Sequence, residues 1–326
     1  YNMSKELEDK FYEKEFNFSY SSLNKLLFSP SLFYKEYILK DREQKIEKHL
    51  IEGSAIHCLL FEPDNFKNKF RVVPEKAPSD NVRKVLHDMS LHTDETDLMK
   101  VEDFIILDSL KAINLYQSLK TDEQRLSKIK STEYQVYWEF VSNNIIDVID
   151  QDTYQRCLDR VEILKNNEEV SQAFAPKQTD FELDPITTHA EAYLTSELKD
   201  YPFGLHGYVD FYEVNTETKT ATIYDLKTTS KSINDFADTV EFYNYWLQAA
   251  IYSKLVFDNL EDDTYTIKFN FVVIDAYDQV YIFEVSEATM NEWTTELLSA
   301  VMAAKHHYDT KNYSLPYEFL VRKVNL

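Results

Sequence analysis

Glycine is nearly absent from this sequence. Gly53, Gly204 and Gly207 are the only three in 326 residues, where average usage is roughly 7%. Neither a G-x-G-x-x-G turn nor a glycine-rich phosphate loop can be built from them, so dinucleotide and P-loop sites are excluded and no nucleotide cofactor is expected. Each survivor is expected where a Cβ has no room, and ordinary turns must come from Asn, Asp, Ser and Pro. Cysteine is scarcer still. Cys58 and Cys157 lie far apart, which excludes a four-cysteine zinc site, an iron–sulfur cluster and a disulfide framework. No run of eighteen apolar residues exists, so no membrane span is expected. The opening Tyr1-Asn2-Met3-Ser4-Lys5 has no apolar core of the secretory kind, Met3 is a candidate initiator, and a reducing cytoplasm is the expected setting. Positive charge is also short: 35 basic residues face 57 acidic ones, a net charge of −22. A nucleic-acid-binding protein usually shows a basic footprint. Such a reading therefore needs motif evidence and cations concentrated locally.

What is present suffices for a core, since 44% of the residues are hydrophobic. Residues 1–15 read as charged and frayed. Helical spacing starts at Ser19, runs through Leu23, Leu26 and Leu27, and resumes at Phe33, Tyr34 and Tyr37. Glu52 to Phe61 reads as a helix stopped by Pro63. Residues 64–80 read as loop or extended. From 80 to 175 the pattern is mostly helical, with Trp138 in an aromatic patch, 134–141, that could be strand. After Pro176 the character changes. Residues 179–183, 188–195, 205–214, 219–227, 265–274 and 279–285 are β-branched and aromatic, with turn residues between them. One helix is expected over Asn244 to Phe257. Another follows Ser286, with Met290, Trp293, Leu297, Val301 and Met302 on one face. His306 and His307, near its end, read as surface residues. The pattern is α/β or α+β with a helical arm.

The chemistry concentrates in two segments. Gly204-Leu-His-Gly-Tyr-Val-Asp210 ends one apolar strand, and Ile223-Tyr-Asp225-Leu-Lys227-Thr-Thr ends another. Side chains two apart on a strand share a face, so Asp225 and Lys227 point the same way. If the two strands pair, two carboxylates and an ammonium converge. Carboxylate oxygens suit Mg²⁺ or Mn²⁺, and a neighbouring lysine can position or deprotonate a water. An Asp-x-Lys triplet alone reads first as an ordinary Asp–Lys cross-strand pair on a surface hairpin, since such triplets are common by chance. Both side chains are expected at a strand end facing a cleft, where removing them costs folding little.

Four segments in order carry a resemblance: Gly53-Ser-Ala-Ile-His57, Gly207-Tyr-Val-Asp210, Asp225-Leu-Lys227 and Gln248-Ala-Ala-Ile-Tyr252. The chain resembles the PD-(D/E)XK nucleases, and within them the RecB-like, exonuclease VIII (RecE)-like branch of phage and bacterial enzymes. Phe18-Ser-Tyr-Ser-Ser-Leu and Leu60-Phe-Glu-Pro63 resemble that branch too, and only residues 80–175 fall outside the likeness. The resemblance implies an α/β, restriction-endonuclease-like core: a central mixed sheet flanked by helices, with a helical N-terminal arm and a helical insertion. The implied parts are 1–63 with the Gly-x-x-x-His motif, 64–175 as helical insertion, and 176–326 as nuclease core. They would form one integrated unit.

It also implies roles. Asp210, Asp225 and Lys227 would be catalytic. His57, Asp210, Asp225 and the backbone carbonyl of Leu226 would hold Mg²⁺ or Mn²⁺, as two ions. Glu191 reads either as a further metal-side carboxylate or as a solvated strand residue. Gln248, Tyr252, Gly53 and Gly207 would support the site or the DNA, with Gly204 and Gly207 admitting the DNA backbone closely. Scattered cations (Lys45, Lys48, Lys67, Lys69, Arg71, Arg83, Lys84, Lys128, Lys130) read mostly as solvated faces. Phe28 or Tyr20 is either a wedge for a duplex end or core. The implied activity is metal-dependent hydrolysis of linear double-stranded DNA from its ends, in recombination or repair, leaving 5′-phosphates. Implied partners are DNA, a recombinase or single-strand annealing protein, and further copies of the chain in a ring. The setting would be the cytoplasm of a bacterial or phage-infected cell. Against this stand an endonuclease or single-strand nuclease of the same fold, and a DNA-binding protein that has lost cleavage.

Overall fold

The computed structural model of the chain describes residues 3–42, 48–145, 147–177 and 185–325. Two compact units emerge: residues 1–45 with 162–326, and residues 46–161. The helix carrying Gly53 and His57 belongs to the second unit and not with the chain's first 45 residues.

In the first unit, the apolar stretch Phe269–Ile274 dictates the architecture. A strand buried on both faces needs a strand on either side and cover above and below. It lies within β5 of a six-stranded mixed sheet. The strands are β1 (Phe16–Phe18), β2 (Ile186–Ser196), β3 (Phe203–Asn215), β4 (Thr220–Thr228), β5 (Thr266–Ile274) and β6 (Val280–Glu284). The order is β1-β3-β4-β5-β6, with β2 also on β3. Pairings β1–β3 and β4–β5 are parallel, and the rest are antiparallel. Flanking helices include α1 (Met3–Tyr12), α2 (Tyr20–Phe28), α3 (Phe236–Tyr243), α4 (Tyr245–Leu260) and α5 (Glu287–Thr310). Parallel β4 and β5 require a crossover, which α3 and α4 supply. That crossover lays Leu247, Ala250, Ile251, Leu255 and Val256 into one core with Leu205, Val209, Phe269 and Phe271.

The register leaves a gap. Leu205 of β3 pairs with Ser196 of β2 and with Phe18 of β1. Residues 211–215 of β3 pair with β2 and with β4. Since β2 keeps one edge throughout, β1 and β4 share the other, and residues 206–210 between them have no strand on that side. Asp210 closes this gap.

Two glycines are fixed by packing. A Cβ on Gly207 would stand 2.9 Å from Cε1 of Tyr252 and 3.3 Å from Cδ1 of Leu255. One on Gly204 would meet the Ser196 carbonyl at 2.5 Å and Asn17 Oδ1 at 2.7 Å. The missing side chains therefore make room for the protein's own helix and strands. None of the described glycines has positive φ, whereas Lys40, Asp200, Lys219, Asn244, Glu261 and Lys311 are among ten other residues that do. The turns thus use Lys and Glu as well as the expected Asn and Asp. The β3–β4 hairpin shows how. Asn215 Oδ1 accepts from the N–H groups of Glu217 and Thr218, both at 3.0 Å, which holds the turn while Lys219 takes φ 54°.

Several expectations change. Residues 3–12 are a helix, because Phe11 inserts among Phe16, Phe33 and Tyr308. Met302 is exposed on α5, one step off the face made by Leu297, Val301 and Ala304. His307 is buried, its Nδ1 2.7 Å from the Asn312 carbonyl. The strand expected over 179–183 lies outside the described residues.

The second unit has its own core. Helices Asp80–Ser90, Asp103–Ala112, Asp122–Ile129 and Gln135–Ser142 surround Trp138, which is helical, fully buried, and donates Nε1–H to the Glu95 carbonyl at 3.0 Å. Strands Arg71–Val72 and Val148–Ile149 pair in parallel. Cys58 and Cys157 are both buried, and no disulfide joins them. Helix Lys48–Phe61 is tied in by Glu52, which pairs with Arg156 at 3.3 Å and Arg160 at 3.7 Å.

Gly207→Ala should lower the unfolding free energy by about 1–3 kcal/mol, since an added methyl must displace the Tyr252 ring. A lower urea midpoint at unchanged slope would show it. An unchanged midpoint would mean that α4 yields freely.

Candidate active site

The site is built where β3 and β4 part. Their ladder runs from Asn215↔Thr220 to Phe211↔Tyr224. The next two residues, Asp210 and Asp225, are the first beyond it. Divergence leaves backbone donors that must still be satisfied. Asp210 answers this: its Oδ2 accepts the Leu226 N–H at 2.8 Å. Asp225 is 1% exposed. Lys227, on the same face of β4, makes a direct ion pair with the Asp225 carboxylate. The Lys227 Nζ lies 4.7 Å from the centroid of the Tyr245 ring. Burial alone would push the Lys227 ammonium down, but the charges of Asp225 and Asp210 outweigh it and hold its pKa above the ordinary value. Burial this deep differs from the expected cleft-facing strand end, so the pair belongs to the core as much as to the cleft.

Glu191 faces Asp210 across the β2–β3 ladder. Pairs Ala190↔Phe211 and Ala192↔Val209 flank them without a slip in register, yet Glu191 and Asp210 form no ladder pair. Glu191 has φ 49°, a left-handed conformation that costs a non-glycine roughly 1–3 kcal/mol. A carboxylate oxygen of Glu191 lies within 4.8 Å of one on Asp210.

The crossover supplies the roof. Gln248 and Tyr252 lie one turn apart on α4, and Gln248 Nε2 donates to the Tyr252 hydroxyl at 2.9 Å. Burial first, and then the charges of Asp225 and Asp210, raise the Tyr252 pKa well above normal. The Gln248 Oε1 is buried and has no hydrogen-bond partner among the described residues. Tyr245 and Tyr20 also border the site, and sequence reasoning passed over Tyr245. The rings of Tyr20 and Tyr245 lie 6.4 Å apart, and the Tyr20 hydroxyl donates to the Tyr243 carbonyl at 2.5 Å. That places Tyr20 in the site's wall, while Phe28 is 78% exposed. The usable signal for Tyr245 was its position one turn before Gln248.

In the second unit, His57 is half-buried between the buried Ile56 and Cys58, its ring 4.9 Å from that of Phe61. Gly53 is half-buried one turn earlier. Of the scattered cations, Lys69 pairs with Glu62 at 2.6 Å, Lys130 with Asp103 at 2.6 Å, and Arg83 with Asp80. Arg71 donates to the carbonyls of Phe140 and Asn143, both at 3.0 Å. Lys45 and the Lys48 side chain lie outside the described residues. A cavity of about 910 Å³ in this unit is lined by Arg71, Asp80, Arg83, Lys84, His87 and Tyr137 among others, and includes none of Glu191, Asp210 and Asp225.

Sequence comparison now decides the family. The profile of the PD-(D/E)XK nuclease superfamily matches residues 17–308. The chain belongs to this superfamily. No curated protein matches this superfamily member. It is similar to a solved structure of a candidate exonuclease from Eubacterium rectale, with 12% identity, TM-score 0.49, all of this chain and 92% of that one covered. A second, SSO0001, is 14% identical with TM-score 0.24, over 76% of this chain and 95% of that one. No helix among the described residues is long and apolar enough to cross a membrane.

PD-(D/E)XK nucleases work with divalent metal ions, and the donor set fits one. Glu191, Asp210 and Asp225 offer only hard oxygen atoms, which select Mg²⁺ or Mn²⁺ over softer metals. The Lys227 ammonium faces Asp225 and Asp210, and a divalent cation would offset charge on the three carboxylates.

The Asp225–Lys227 pair should register in stability. Lys227→Met leaves a buried carboxylate beside Asp210 and should destabilise the protein by about 3–5 kcal/mol, whereas Asp225→Asn combined with Lys227→Met should recover part of that loss. Urea denaturation of the three variants without metal closes the cycle. Additive single effects would contradict a coupled buried pair.

Proposed function

We propose that the chain is a metal-dependent deoxyribonuclease of the RecE-like kind, an exonuclease that degrades linear double-stranded DNA from an end during recombination or repair. The observation that carries this reading is the convergence of Asp210, Asp225 and Lys227 at the parting of β3 and β4, with Glu191 beside Asp210. A purely structural or DNA-binding role needs no such set.

In this reading Asp210, Asp225, Glu191 and the backbone carbonyl of Leu226 would hold Mg²⁺ or Mn²⁺, as two ions. A bound divalent ion supplies positive charge to the phosphoryl oxygens and lowers the pKa of water. Lys227 donates N–H to the attacking water and orients it in line with the scissile bond. The water oxygen bonds to phosphorus as the bond to the 3′ oxygen breaks, and a proton passes from water to the leaving oxygen by way of solvent. Products carry a 5′-phosphate and a 3′-hydroxyl. Gln248 and Tyr252 close the site from above. Tyr252 keeps its proton, and the Gln248 carbonyl oxygen is free to accept a hydrogen bond from the substrate or an ordered water. A net charge of −22 is compatible with DNA when cations line only the path of the strand. The proposed partners are duplex ends, other copies of the chain in a ring, and a recombinase or annealing protein.

End-labelled linear duplex, the same duplex as a covalently closed circle, and single strands should be incubated with the protein. Cleavage of linear duplex to 5′-phosphorylated products should require Mg²⁺ or Mn²⁺, fail in EDTA or Ca²⁺, and vanish in Asp225→Ala and Lys227→Ala. The closed circle should survive. Nicking of the circle at the same rate would replace the exonuclease with an endonuclease, and full activity in EDTA would remove the carboxylate site from the chemistry.

A further inference from the structure

Beside the buried lysine, two aromatic rings stand in solvent. Tyr245, whose ring covers Lys227, stacks on Tyr243 at 5.4 Å and 21°. Phe242 stands edge-on to Tyr243 at 4.9 Å and 85°, and it remains 73% exposed, with Tyr243 at 42%. The ring of Tyr243 is therefore one stacking distance beyond the ring that lies over the catalytic lysine. Lys231 reaches the same corner, its Nζ 5.5 Å from the centroid of Phe242.

The corner is built rigidly. Asn244, between α3 and α4, adopts φ 54° and ψ 44°. Its Nδ2 donates to Asn24 Oδ1 at 2.7 Å, and its Oδ1 accepts from Trp246 Nε1 at 3.1 Å. The Tyr243 carbonyl accepts from the Tyr20 hydroxyl at 2.5 Å and from Asn24 Nδ2 at 3.5 Å. A turn held by four hydrogen bonds fixes two large rings that the core does not use. Neighbouring exposed rings held at a fixed position offer a ligand one contiguous apolar surface.

We propose that Phe242 and Tyr243 form a stacking platform for an unpaired base of the strand being cleaved, next to the scissile phosphate, with Lys231 facing a neighbouring phosphate. The inference rests on the nuclease reading and deepens it, because it names the form of substrate that enters: a single-stranded or frayed end. A flat ring pair accepts any base through its π face, so the platform binds without sequence preference. A base still stacked within a duplex cannot reach it.

The test uses the full chain in EDTA, where no cleavage occurs, and short single-stranded oligonucleotides with 2-aminopurine placed at successive positions from one end. Wild-type protein should quench the fluorescence at a restricted set of positions. Phe242→Ala and Tyr243→Ala should each weaken binding roughly 5- to 100-fold and abolish that quenching, while Tyr243→Phe behaves as wild type. Phe242 is so exposed that its variant should keep the wild-type melting temperature. Wild-type affinity and quenching in both alanine variants would overturn the platform while leaving cleavage, and the nuclease reading, intact. A wild-type protein that neither binds nor cleaves any strand would overturn both.

Discussion

Asp210 and Asp225 are placed side by side at the end of a strand ladder, and one lysine serves both. Like charges at this distance repel, and burial strengthens that repulsion. The rest of the first unit can be read as what prevents their separation. The β3–β4 ladder holds the two backbones up to the residues before them. The Leu226 N–H holds the Asp210 carboxylate. The Lys227 ammonium holds Asp225. Glu191, in a backbone conformation unusual for a strand, adds a third carboxylate instead of turning away. A protein selected for stability alone would have little reason to keep this arrangement, whereas a divalent cation turns its repulsion into binding.

The second constraint is the contact between Gly207 and Tyr252. It joins the strand that carries Asp210 to the helix that carries Gln248, with no glycine side chain between them. The two motifs are forty residues apart in sequence but share one packing contact, so the roof of the site is set at a fixed height over the carboxylates. The same helix begins with Tyr245 over Lys227. One crossover helix thus positions the support for the lysine and for the carboxylates together.

Much of this could be read from the residues. The five longer strands of the sheet fall where β-branched and aromatic runs lie between turn residues, and Asp225 and Lys227 share a face because strands alternate. Burial could not be read: alternation does not distinguish a cleft from a core, and Lys227 was expected at an open strand end. β1 is only three residues long and has no periodicity to detect. Helix α1 is polar over most of its length and is held by the two aromatics at its end, Phe11 and Tyr12, which composition hides. His307 looked like a surface residue because its partner, the Asn312 carbonyl, is a backbone group. Glu191 stood undecided because its left-handed backbone leaves no mark in the sequence.

The central claim is that these carboxylates bind a divalent cation. Titration of the wild-type protein with Mn²⁺, followed by electron paramagnetic resonance of the free ion, measures this without reference to cleavage. Wild-type protein should take up Mn²⁺ saturably. Asp210→Asn, which keeps the size of the side chain, should bind it at least roughly tenfold more weakly, the scale expected for losing part of a metal's support. The same binding curve for both proteins would contradict the claim.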